Sequence, residues 1–344
     1  MPKSEVDANE IPVIDISDPS LQVSQQVLHA ASTHGFLFIK NDGVTIPPKD
    51  INDMFMLAKD FFDSPREQKS EFAIHSAKAG GKNRGWVTMQ GESLDPDGQK
   101  QGDPKEAFNI APPQPTLQPL PSPLSASAPL ISRFQTACHT LCTRTLTLLN
   151  TALQIPDPAY FSARHDQSLG PSGTIFRLLY YPQTAAPASH DSIRAGAHSD
   201  YGSITLLFRL PGQPGLEIRT ADGSWVSVPV NPTPSTLTEP PILVNIGDLL
   251  SFWTNGMLKS TVHRVAFNDG EERYSMAYFC HPLDKARLET VPGPVIEAFG
   301  DKGKEELRMQ RKRLGLEEDG AKREVLTAKQ HLDRRLKVTY GLED

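Results

Sequence analysis

Residues 196–208 read Gly196-Ala197-His198-Ser199-Asp200-Tyr201-Gly202-Ser203-Ile204-Thr205-Leu206-Leu207-Phe208. Two ionisable side chains, His198 and Asp200, stand two apart, and an apolar, β-rich run follows. Residues two apart on an extended strand share a face, so both can aim at one point. Outward from this stretch, the chain beyond about residue 172 breaks into short runs rich in Val, Ile, Phe and Tyr, punctuated by Gly and Pro. The pattern predicts strands near 173–181, 203–209, 215–219, 224–227, 242–244, 249–253, 261–267 and 273–279. Short strands with turn signals between them indicate a sandwich or jelly roll: a mainly β core, with helices on its flanks.

A third candidate ligand, His263, lies in residues 258–267 (LKSTVHRVAF), on a strand that a jelly roll can bring beside the first. Two neutral imidazoles and one carboxylate on one face of an octahedral ion form the 2-His-1-carboxylate triad. That set leaves coordination positions open, which a closed four-ligand structural zinc site does not. Each piece alone is weak, because a lone strand histidine is more often a satisfied core or surface residue. The surroundings add weight. Ten residues beyond His263 come Arg273-Tyr274-Ser275, opening the apolar run RYSMAYF. Arg273 and Ser275 share a face, and a guanidinium beside a hydroxyl is a good receptor for a carboxylate. A strand arginine more often ends in a surface ion pair, but these apolar neighbours argue against that fate.

The N-terminal third reads as mixed α and β. IPVIDIS (11–17) predicts a strand, Asp18 or Ser20 a helix cap, 21–33 a helix stopped by Gly35, 36–39 a buried strand and 48–62 a second helix. Residues 78–107 read as loop, 111–129 as a Pro-rich surface connection rather than a linker, and 130–152 as a long helix. Helical patterns return after about 301, and 326–336 is amphipathic. The chain has 344 residues, 38% of them hydrophobic, enough for a sizeable core. With 35 Lys+Arg against 41 Asp+Glu the net charge is −6, and no basic block exists, so nucleic acid and anionic membrane are not the expected partners. Proline, 30 residues, exceeds the usual share of about 5% and points to loops and strand ends. Cys138, Cys142 and Cys280 are too few for a disulfide framework and read as buried packing residues. The N-terminus MPKSEVDANE has no apolar signal core and no run is long enough for a membrane span, so a cytoplasmic location is expected.

IPVIDIS, HGFLFIKNDGV, NRGW…GES…GDPKEAFNI, FRLLYYP, HSDYGSITLLF, DLLSFWTNGMLKSTVHRV and RYSMAYFCHP together resemble, in the same order, the isopenicillin N synthase-like family of Fe(II)- and 2-oxoglutarate-dependent dioxygenases. The resemblance runs almost end to end. It implies a double-stranded β-helix core (172–283) within a single catalytic domain (1–344), with an N-terminal flank (1–130) and a C-terminal helical segment (301–344). It implies that His198, Asp200 and His263 ligate Fe(II). Arg273 and Ser275 would bind the far carboxylate of 2-oxoglutarate, with Tyr181 as a further donor. Plant relatives commonly have Asn two positions before that tyrosine; here Leu179 stands there, so the polar wall differs. The implied reaction consumes O2, releases succinate and CO2, passes through a ferryl oxidant, is supported by ascorbate, and hydroxylates or desaturates a small-molecule substrate, as in secondary metabolism. Phe279, Arg84, Phe108 and Trp253 are candidates for the substrate pocket, Trp86 beside them; core packing is the competing reading for each aromatic. Arg177 would pair a substrate acid or face solvent. An oxidase of the same fold that uses no 2-oxo acid, and a non-catalytic jelly-roll binding protein, are the alternatives.

Overall fold

Local signals set the first elements. Strand β1 (Val13–Ile14) pairs in parallel with β2 (Phe36–Ile39), and helix α1 (Leu21–Thr33) joins them. Ser20 caps α1 by accepting from the Val23 N–H at 3.3 Å. Helix α2 (Pro48–Phe62) opens on a proline, which the first turn tolerates because its missing N–H would go unused there. These are the helices and the buried strand that the periodicity predicts, although β1 is much shorter than the seven-residue run IPVIDIS. The computed structural model describes residues 11–96, 98–183, 193–237, 239–267, 271–313 and 325–342; the polar N-terminus read at 1–10 lies outside them.

After the short α3 (Arg66–Ser70) come β3 (Gly85–Val87) and β4 (Glu106–Ile110). Both lie in or beside the segment expected to be loop; at this length a strand leaves almost no periodicity to read. The Pro-rich stretch that follows is fastened to the body by Gln118, which donates to the Asn109 carbonyl and accepts from the Ala111 N–H, both at 2.9 Å. Then come α4 (Ala128–Ala152), α5 (Tyr160–Arg164), β5 (Ile175–Tyr181), β6 (Ile193–His198), β7 (Ile204–Arg209), β8 (Leu216–Arg219), β9 (Trp225–Ser227) and β10 (Ile242–Ile246). The chain continues with α6 (Asp248–Trp253), β11 (His263–Ala266), β12 (Arg273–Cys280), α7 (Pro294–Phe299), α8 (Lys304–Arg313) and α9 (Ala328–Tyr340).

Residues 249–253 are helix α6, not the predicted strand. Four apolar residues around Ser251 fit either element, and Gly247 with Asp248 at the helix start decides for the helix. Conversely β6, which carries His198, is not among the predicted strands; Arg194 and Gly196 break up its hydrophobic alternation.

Two sheets form the core. The larger runs β1-β2-β10-β7-β12-β5-β4-β3 and the smaller β6-β11-β8-β9. Period-two alternation assigns the faces of the larger sheet. Phe176, Leu178, Phe208, Met276 and Tyr278 face outward against the helices, with Phe134 of α4 within 5.2 Å of Phe176 and 5.1 Å of Phe208. Leu179, Tyr181, Thr205, Leu207, Arg273, Ser275 and Ala277 face inward, where residues of the smaller sheet meet them across a cavity of about 550 Å³, its open mouth included. This is the jelly-roll arrangement expected. Among the described residues, no helix is long and apolar enough to cross a membrane.

Candidate functional site

His198 ends β6 and His263 begins β11, and the two are direct cross-strand partners. Antiparallel pairing therefore sets their rings 4.4 Å apart. Asp200 lies just past β6, in the turn to β7, and not on a strand as the two-residue spacing suggests. The turn is held by backbone: the Asp248 N–H donates to the Asp200 carbonyl at 2.9 Å and the Leu249 N–H to Gly202 at 3.0 Å. Gly247 is needed for this approach, because a Cβ there would sit 2.2 Å from the Gly202 oxygen. Asp200 Oδ1 thereby lies 3.7 Å from His198 Nε2 and 3.6 Å from His263 Nε2. All three donor atoms fall within 4.8 Å of one another.

The protonation states suit a metal. His198 donates its Nδ1–H to the Gly196 carbonyl at 2.7 Å, and His263 Nδ1 lies 3.1 Å from the Thr261 carbonyl. Each tie turns an Nε2 lone pair toward Asp200. Burial first, then the neighbouring His263, pushes His198 down to about 3, so it is neutral at pH 7. Burial works to raise the Asp200 carboxyl, but His263 and His198, together with hydrogen bonds from Asn245 and Thr205, outweigh it and hold the group ionised. Those two bonds, from Thr205 Oγ1 and Asn245 Nδ2, both 2.6 Å long, occupy Oδ2 and leave Oδ1 for the donor set. Two imidazoles and one carboxylate, with no fourth His, Cys, Asp or Glu donor beside them among the described residues, fit a divalent iron with open positions.

Deeper in the barrel, Arg273 is 2% exposed. It donates to the Pro214 carbonyl at 3.0 Å and to Ser275 Oγ at 3.1 Å, with the Tyr181 ring 5.2 Å from its Cζ. Among the described residues no carboxylate lies within ion-pair distance of it. Arg209, the cross-strand partner of Ser275, is also buried and binds only the Val228 and Pro229 carbonyls. Burial first, and then Arg273, lowers Arg209 to about 9. Arg273, which lines the cavity with Ser275 and has no acid beside it among the described residues, makes this end of the cavity a receptor for an anion; Arg209 lines a separate pocket.

Phe279 lines the cavity together with Leu179. Arg84, Phe108 and Trp253 line neither this chamber nor the one above it. Phe108 is fully buried against Phe61, with ring centroids 4.8 Å apart. Trp253 packs on Phe161 and donates to the Arg287 carbonyl, Trp86 donates to Glu106, and Arg84 donates to the Gly80 carbonyl. Phe108 serves the core because it sits on the face of β4 opposite Asn109, which lines the chamber, and Trp253 because its helix packs outside the barrel. Arg177 does not face solvent; it pairs with the buried Glu92 at 2.6 Å. Thr205 and Asn245 escaped the sequence reading, which left the C-terminal helix to cover the active site or to pack on a partner. A lone polar residue in an apolar strand, as in Ile242–Ile246, is the signal that could have found Asn245.

Comparison with known proteins follows the same line. Residues 172–282 match the 2OG-Fe(II) oxygenase superfamily, and residues 11–130 match the N-terminal region of non-haem dioxygenases described from morphine synthesis. A UPF0676 protein of Schizosaccharomyces pombe is 35% identical over 96% of this chain and 93% of its own. A proline hydroxylase, buaE, of Petromyces alliaceus is 30% identical over 92% of this chain and 93% of its own. Among solved structures, a full-length Neurospora crassa protein in complex with alpha-KG superposes with a TM-score of 0.71 at 28% identity, covering 95% of each chain. The same protein with alpha-KG and thymine gives 0.70, at 28% identity, over 95% of this chain and 96% of its own.

Proposed function

The chain belongs to the 2OG-Fe(II) oxygenase superfamily and is a non-haem Fe(II)- and 2-oxoglutarate-dependent dioxygenase; from that premise we propose that it hydroxylates or desaturates a C–H bond of a small molecule, with His198, Asp200 and His263 holding the iron. One observation carries the residue assignment: three metal-suited donors converge at one level of the barrel, and an acid-free Arg273–Ser275 pair lies below them. A hydroxylase among the relatives and a neighbour bound to thymine support a small organic substrate.

Arg273 and Ser275, with Tyr181 beside them, take the far carboxylate of 2-oxoglutarate. Bound Fe(II) supplies the activation of O2 and the oxidative decarboxylation of the 2-oxo acid to succinate and CO2. His198, held neutral by burial, and the ionised Asp200 present deprotonated donor atoms to the metal. Leu179, Leu207, Leu216, Val265 and Ala277 wall the chamber with apolar surface and exclude water from it. The chamber above, which Phe279 and Tyr201 line, fixes which C–H bond faces the donors; such positioning decides the outcome. We read the chain as one catalytic domain, since a single apolar cluster runs from Ile14 in the N-terminal flank through Met276 of the barrel to Ala328.

The test is succinate release from 2-oxoglutarate with Fe(II) and ascorbate, first without and then with candidate substrates. His198→Ala is expected to reduce release to background. Unchanged release from that variant would remove His198 from the metal site.

A further inference from the structure

Above the donor set the cavity opens into a chamber lined by Asn83, Asn109, Arg177, Tyr201, Phe279 and Leu336. Apart from Asp200 of the donor set, its charged lining residue is Arg177, and that charge is balanced by a buried network behind the wall. Arg177 pairs with Glu92 at 2.6 Å, and Lys105 pairs with Glu92 at 2.9 Å and Asp103 at 2.5 Å. Two cations face two carboxylates, and Glu92, Lys105 and Asp103 are almost wholly buried. Burial opposes the charge on Glu92, but Arg177 and Lys105 outweigh it and hold the carboxyl ionised. A charged ligand group would enter this chamber without a counter-ion, which a low-dielectric site disfavours strongly.

Its hydrogen bonding, by contrast, is incomplete. Asn109 is 2% exposed and donates Nδ2 to Asn83, to the side-chain oxygen at 2.9 Å and the main-chain carbonyl at 3.4 Å. A main-chain carbonyl can only accept, so the nitrogen end of the Asn109 amide is assigned and Oδ1 is the free end. That oxygen is buried without a partner, and so is Arg177 Nε. Asn109 and Arg177 are direct cross-strand partners on β4 and β5, so the vacant acceptor and the vacant donor stand side by side. The rings of Phe279 and Tyr201 and the side chains of Ile175 and Leu336 line the same chamber and suit an apolar or flat body.

Resting on the reading of this site as an oxygenase, we propose that the substrate is an uncharged molecule bearing a secondary amide, as in a lactam, cyclic imide or carboxamide. Its N–H is accepted by Asn109 Oδ1, and its carbonyl accepts from Arg177 Nε. The residues are specificity determinants, and neither belongs to the iron or 2-oxoglutarate machinery.

Calorimetry on the full-length protein with a matched probe set tests this. The probes are glutarimide, 2-piperidone, N-methylglutarimide, cyclohexanecarboxylate and piperidinium. Glutarimide and 2-piperidone are expected to bind about tenfold or more tightly than the N-methylated and charged probes. That preference should collapse in Asn109→Leu. It should also collapse in the Arg177→Met/Glu92→Gln double variant, which removes one cation with one anion and serves if Asn109→Leu fails to fold. Equal binding of glutarimide and its N-methyl form, or tighter binding of either charged probe, overturns the proposal. Succinate release by the wild-type protein is read separately. A kept amide preference without succinate overturns the oxygenase reading and leaves the amide site standing; succinate without the preference does the reverse.

Discussion

Asp200 shows how single neighbours prepare a ligand. Of its two oxygens one is tied to Thr205 and Asn245, and the other is left facing the two imidazoles. A carboxylate so oriented loses no rotamer freedom on binding metal. Asn245→Leu is therefore expected to weaken Fe(II) binding about 10–100-fold, the usual effect of losing such an orienting partner. An anaerobic Fe(II) titration measures it, and an unchanged affinity would show that Thr205 suffices. At this scale much was legible. Arg273 stands out in the chain as a lone cation in an apolar run, and it is indeed buried without an acid. Asn245 is lone in the same way, but a strand amide has many fates, and only contact with Asp200 identifies its role.

Helix α9 joins the upper chamber to the level of the His-Asp-His donor set. Its Leu336, Thr339 and Tyr340 line the chamber. Its Arg335 donates to the Ser199 carbonyl, between His198 and Asp200, at 3.2 Å and lies 4.2 Å from the centre of the Tyr201 ring. Thr339 meets the Tyr201 hydroxyl at 2.5 Å. His331 faces Asp248 at 3.5 Å, whose N–H holds the Asp200 carbonyl. The helix starts in a capping box in which Thr327 and Gln330 satisfy each other's N–H groups. Thr327→Ala is expected to cost about 1 kcal/mol, seen as a lower denaturation midpoint with an unchanged m-value. No loss at all would mean that packing alone orders α9. The amphipathic pattern at 326–336 announces this helix, yet nothing in it says that it walls a chamber built from residues spread between Asn83 and His281.

Across the whole molecule, stability and function divide along the sheet faces. Trp253, on helix α6, is buried in the core away from both chambers, so Trp253→Ala is expected to cost about 3–5 kcal/mol in chemical denaturation while the KM for 2-oxoglutarate in the folded fraction stays unchanged. A raised KM with intact stability would return Trp253 to the pocket. The Glu92 network binds β5 and the segment between β3 and β4 into one charged knot. Removing its central acid leaves two buried cations short of a partner, and Glu92→Gln is expected to cost about 3–5 kcal/mol at neutral pH. The sign of its pH dependence follows from a carboxyl held below its ordinary value. Its stabilisation is present above the unfolded value of about 4.3 and is lost as pH falls through and below it. The stability gap between wild type and Glu92→Gln should therefore shrink on acidification below about pH 4. A gap that is constant with pH would show that charge is not its source.

Local chemistry wrote the strand and helix periods, the caps, the three donor residues and the Arg-x-Ser pair into the order of amino acids, because each depends on spacings of a few residues. The distances between those parts came from folding. Cross-strand pairing set His198 against His263 across 65 positions, a glycine-to-glycine contact between Gly202 and Gly247 turned Asp200 toward them, and sheet faces sent Phe108 to the core while leaving Phe279 in the cavity. An amphipathic run cannot state which partner its apolar side will meet. That is decided only when every element competes for the same buried surface, and here that competition closed a chamber with α9 and left one donor and one acceptor unpaired inside it.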